Sequence, residues 1–69
     1  MLSPSEISVL RTFRKFLMTQ GEILCFFGAD LERHKAALQK LINRDMLVKE
    51  QFKGAYSLTR AGFVAMKSC

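Results

Sequence analysis

Leu38-Gln39-Lys40-Leu41-Ile42-Asn43-Arg44-Asp45-Met46-Leu47-Val48-Lys49 is the stretch in which the hydrophobic period of the chain changes. Upstream of Asp45, the apolar residues Leu31, Leu38, Leu41 and Ile42 recur at helical spacing and predict a helix over residues 31–44. Asp45 follows the last helical position, where Asp can take the left-handed conformation that Gly usually supplies. Downstream the period falls to two: residues 46–52 and 55–58 are β-prone runs joined by Lys53-Gly54, a hairpin signal. A helix followed at once by a hairpin places the chain in the α+β class.

Outward from this stretch, the C-terminal side closes with Thr59 as the N-cap of a short helix over residues 60–67. On the N-terminal side Asp30 offers an N-cap for the long helix. The segment before it, Glu22-Ile23-Leu24-Cys25-Phe26-Phe27-Gly28-Ala29, is apolar nearly all round, so periodicity alone does not separate a buried helix from a buried strand. Lying between two predicted helices, it is read as a short helix. At the start of the chain Ser3, Pro4 and Glu6 form a capping box with Pro at the first helical position, and Leu2 and Ile7 are spaced for a hydrophobic staple. That helix carries Val9, Leu10, Phe13, Phe16 and Leu17 on one stripe and Arg11, Arg14 and Lys15 opposite, with Gly21 as its stop. The expected order is helix, short helix, long helix, two-stranded β wing, short C-terminal helix, in one domain spanning residues 1–69.

That layout is similar to a winged helix-turn-helix, and two motifs carry the resemblance. The stretch from Leu38 to Lys49 resembles the end of the recognition helix and the first wing strand of MarR-, PadR- and ArsR-type bacterial regulators, with Asp45 where that family has Gly. Tyr56-Ser57-Leu58-Thr59-Arg60-Ala61-Gly62 resembles the family's Tyr-x-Leu-Thr-x-x-Gly, where the second wing strand ends and the next helix is capped. The match covers roughly residues 22 to 67. It implies a DNA-binding protein, a small transcriptional regulator that lays helix 31–44 in the major groove and the 47–58 wing on the backbone. His34 stands where those regulators place an aliphatic residue, and is read as a half-buried core histidine with one hydrogen bond.

Composition sets bounds on these readings. Sixty-nine residues, 49% of them hydrophobic and 25% charged, suit one small folded domain. A net charge of +5 favours phosphate-bearing partners, although the bases are spread along the chain. No secretory signal pattern and no apolar run near the 20 residues of a membrane helix is visible, so a cytoplasmic chain without membrane association is expected. Cys25, in an apolar run, reads as a small core residue, and Cys69, at the end of the sequence, as an exposed thiol. Cys25, Cys69 and the single His34 do not have metal-ligand spacing, so no metal or cofactor is expected. No nucleophile–base motif or phosphate loop speaks for an enzyme.

Projection of helix 31–44 at about 100° per residue turns Leu31, His34, Leu38, Leu41 and Ile42 inward. It leaves Glu32, Arg33, Ala36, Gln39, Lys40, Asn43 and Arg44 outward. Arg33, Ala36, Gln39 and Asn43 are the candidate base readers: Arg donates to guanine O6 and N7, Gln and Asn pair with adenine, and Ala admits a thymine methyl. Lys40, Arg44 and the wing residues Lys49 and Lys53 are the candidate phosphate contacts. Asp30 and Glu32 oppose phosphate at the start of the helix. The alternative is a protein–protein interaction module on the same fold, its basic residues serving solubility. Because one small domain makes few DNA contacts, a homodimer on two half-sites is expected, the alternative being a weak dimer or a monomer that serves as an accessory factor. Its candidate surfaces are helix 1, with Ile7 and Met18, and the last helix, with Val64 and Met66.

Overall fold

The first helix starts where the capping box places it. In the computed structural model, which describes residues 2–69, α1 spans Pro4–Lys15. The Ser3 hydroxyl accepts from the Glu6 backbone N–H, and the Glu6 carboxylate accepts from Ser3 N–H at 3.0 Å. The helix ends earlier than the apolar stripe suggests. Leu17, with φ 54°, takes the left-handed conformation that closes the helix, while Gly21, at φ 86°, lies in the later turn that leads into the next segment. Leu17 N–H donates to the Arg14 carbonyl and Met18 N–H to that of Phe13, both at 3.0 Å, which is a Schellman closure. Phe16 and Leu17, expected on the buried stripe, therefore lie beyond the last turn and are exposed.

The segment expected to be a short helix is a strand. β1, Ile23–Cys25, pairs antiparallel with the strand Ala55–Leu58, aligning Leu24 with Tyr56. An all-apolar stretch this short has no helical period of its own, and the long-range partner strand decides its state. The next helix, α2, runs over Gly28–Asn43. It starts three residues before the expected boundary, with Phe27 as an N-cap that makes no side-chain bond, so Asp30 sits inside the first turn rather than capping it. Its other end is as expected. Asp45 has φ 60°, Met46 N–H reaches the Leu41 carbonyl at 2.9 Å, and Asp45 N–H that of Ile42 at 3.0 Å.

β2, Leu47–Lys49, and β3, Ala55–Leu58, form the hairpin, with Val48 aligned on Ser57. Its turn rests on Ala55 N–H donating to the Phe52 carbonyl, with Gly54 at φ 80°. The expected two-stranded wing is thus part of a three-stranded sheet, in the order β1-β3-β2. α3, Arg60–Lys67, follows with Thr59 Oγ1 accepting from Gly62 N–H at 3.1 Å. The described residues form a small α+β fold of three helices and one antiparallel sheet. A strand, not a helix, precedes α2, so the close helix pair of a helix-turn-helix is not formed there.

The core gathers Val9, Leu10 and Phe13 of α1, Leu38 and Leu41 of α2, Leu47, Tyr56 and Leu58 of the sheet, and Met66 of α3. Phe26, between β1 and α2, packs its ring tilted against that of Phe13 and edge-to-face with that of Tyr56, about 6 Å between centroids in each case. The Tyr56–Gly62 motif has a packing explanation. Tyr56 and Leu58 face the core, Thr59 caps α3, and a Cβ on Gly62 would lie 1.9 Å from the Met46 carbonyl oxygen.

Candidate functional site

α2 is the longest helix among the described residues and supplies the longest candidate recognition surface. Ala37, Leu38 and Leu41 of α2 are buried, so the opposite arc faces outward at 100° per residue. Arg33, Ala36, Gln39, Lys40 and Asn43 are all exposed on that arc, spread over about 15 Å of helix at 1.5 Å per residue. Glu32 shares it. Lys35, also exposed, borders the arc and was missed in the projection from sequence; its place next to Gln39, one turn on, was the available signal. Gln39 Nε2 donates to Asn43 Oδ1 at 3.2 Å, so the two amides already orient one another.

Arg44, expected on phosphate, is engaged elsewhere. Its Nε donates to Glu6 Oε2 at 2.7 Å, and Glu6 is only 1% exposed. The pair ties the end of α2 to the first turn of α1. The Ser3 backbone N–H holds the Glu6 carboxyl below its ordinary range, with the Ser3 hydroxyl and Arg44 adding to this, while burial pulls the other way. Glu6 was legible in the sequence as a capping residue, but a partner 38 residues away was not.

The wing lysines are both exposed, and Lys53 lies beside the start of α2. Lys53 lines a shallow groove with Phe27, Gly28, Leu31 and Glu32, at the N-terminal end of the helix. The turn is held there because Phe26 N–H donates to the Gly54 carbonyl at 2.7 Å, and a Cβ on Gly54 would meet the Phe26 carbonyl. Lys49 stands on β2, aligned with Tyr56. Beside Lys53, Phe52 and Phe27 are 72% and 75% exposed.

A second groove, of about 420 Å³, opens between α1, β1 and the start of α2, lined by Phe16, Leu24, Cys25, Phe27 and His34 among others. His34 is half-buried as expected, its ring 5.8 Å from that of Phe26 and its Nδ1–H donating to the Asp30 carbonyl at 2.9 Å. Both cysteine readings need correction. Cys25 is exposed, because its position in β1 faces away from the core, and Cys69 is half-buried, its Sγ 3.2 Å from the Ala65 carbonyl. Met66, expected on a dimer surface, is a core residue, whereas Val64 is exposed. Among the described residues no helix is long and apolar enough to cross a membrane.

Comparison with protein-family models, with curated proteins and with solved structures finds no match to this chain.

Proposed function

We propose that the protein binds double-stranded DNA by laying the exposed arc of α2 in the major groove, as a small winged-helix transcriptional regulator. The observation that carries this reading is the uncovered face on which Arg33, Ala36, Gln39, Lys40 and Asn43 stand together. Arg33 reads guanine, the Gln39–Asn43 pair reads adenine, and Ala36 leaves room for a thymine methyl. Lys40 and Lys53, near the two ends of the helix, hold phosphates, and Lys49 adds a third contact from the sheet. Arg44 is a positioning residue for α2, through Glu6, rather than a phosphate contact. Glu32 on the same arc repels the backbone and keeps non-specific affinity low.

A titration against random-sequence duplex at several salt concentrations tests the reading. Affinity falls with salt, and Arg33→Ala/Lys40→Ala reduces the log–log slope by about 2 if both residues neutralise phosphate, or by about 1 if Arg33 reads a base. Binding that ignores salt, or a double variant with the wild-type curve, removes DNA from α2. The second reading, a protein-interaction module, is favoured by the exposed Phe27 and Phe52.

A further inference from the structure

The sheet has two edges, and they differ. β2 ends in the exposed Lys49 followed by Glu50, charges of the kind that discourage pairing with another strand. β1 reads Ile23-Leu24-Cys25 and continues into Phe26-Phe27, with no charge, Pro or bulge within it; the exposed Glu22 stands just before it. The bond from Phe26 N–H to the Gly54 carbonyl fixes the phase of the β1–β3 ladder. Residues 24 and 26 turn their backbone groups toward β3, so Ile23 and Cys25 turn theirs away from the sheet. Among the described residues nothing hydrogen-bonds to those outward groups. The side chains of Ile23 and Cys25 are exposed as well, with Ile23 at 49%.

We propose that β1 is a homodimer seam, pairing antiparallel with β1 of a second copy about a two-fold axis through Leu24. The strand's phase makes it self-complementary. In that register Ile23 lies opposite Cys25 of the second copy, and the reverse, so the outward N–H and C=O groups of both residues close four backbone hydrogen bonds. Leu24 then faces its own copy in the non-hydrogen-bonded position, where Cα atoms approach to about 4.5 Å. The two sheets become one of six strands, and both open β1 edges are satisfied. A second copy of this chain presents the same three-residue phase with matching apolar side chains, which argues for the protein itself as the partner. The seam uses neither α2 nor the wing, so it stands or falls independently of DNA binding.

The geometry predicts a specific cross-link. In a Cys25→Ser/Cys69→Ser background, Leu24→Cys oxidises to a disulfide-linked dimer at least tenfold faster than Phe52→Cys, an exposed control, because the Cα separation suits a disulfide. Wild-type Cys25 does not cross-link to itself, since it lies opposite Ile23. Sedimentation of the wild type shows a mass approaching twice 7.9 kDa as concentration rises. Ile23→Lys/Cys25→Lys, which alters only exposed positions, stays monomeric with an unchanged melting curve at high dilution. A wild type that remains monomeric at every concentration, a Leu24→Cys variant no faster than the control, or a dimer that survives the double lysine change overturns the proposal.

Discussion

Arg44 Nε lies 2.7 Å from Glu6 Oε2, so the residue after the last turn of α2 is clamped to the first turn of α1. The carboxylate is buried and the Arg side chain is 42% exposed, so the pair is asymmetric: removing the arginine strands a buried charge, while removing the carboxylate returns the arginine to water. Arg44→Ala therefore costs more than an exposed salt bridge would. Ser3 N–H still serves Glu6 in the variant, which holds the loss to about 1–2 kcal/mol in urea unfolding. A loss below about 0.3 kcal/mol would show that the pair is only a surface contact.

The same carboxylate gives the fold an acid dependence. Its folded pKa is lowered, chiefly by the Ser3 backbone N–H, so its contribution is complete above the ordinary carboxylate range and is lost as the pH falls through the lowered value. Thermal melts of the wild type should thus decline below about pH 4. The gap between the wild type and Glu6→Gln should narrow over the same interval. A gap that stays constant down to pH 2 would assign the acid sensitivity to other carboxylates.

Much of this architecture was legible because its determinants are local. Ser3, Pro4 and Glu6 mark the start of α1, Asp45 marks the stop of α2, and Thr59 caps α3, each through bonds spanning three to five residues. The exposed face of α2 followed from the same periodicity. What failed depended on distant partners or on where a period ends. Residues 23–25 are a strand because β3 lies beside them, some thirty positions later in the chain. Phe16 and Leu17 continue the apolar spacing of α1 but fall after its terminal turn, so projecting the helix further placed them wrongly in the core. Arg44 pairs with Glu6, which sequence spacing does not connect to it.

Gly62 provides a test in which helix propensity and packing predict opposite signs. Within α3, Gly→Ala would ordinarily stabilise by about 1 kcal/mol. Here the added methyl would sit 1.9 Å from the Met46 carbonyl, whose oxygen also accepts from Thr59 N–H at 3.1 Å. The obstacle is backbone, so α3 must move away from the junction between α2 and β2. Gly62→Ala is expected to destabilise by about 2 kcal/mol, in the range of overpacked cores. A neutral or stabilising result by chemical denaturation would mean that α3 does not sit against Met46.

Leu17 predicts the reverse outcome at the end of α1. It holds φ 54° with a branched side chain that is 84% exposed, so it bears the strain of the left-handed conformation and gains little from burial. Leu17→Gly removes a penalty of about 1–2 kcal/mol, offset by the greater chain entropy of glycine when unfolded, about 0.5–1 kcal/mol. A net gain of about 0.5–1 kcal/mol in urea unfolding is expected. Leu17→Ala separates this cause from the mere loss of an exposed apolar group, since alanine keeps a Cβ and most of the strain. If both variants stabilise equally, the benefit comes from removing surface hydrophobicity. If glycine alone does, the left-handed turn after Phe16 is what limits the helix. Asp45→Gly should gain less than Leu17→Gly, because aspartate tolerates the φ of 60° that closes α2 better than leucine tolerates the equivalent position in α1.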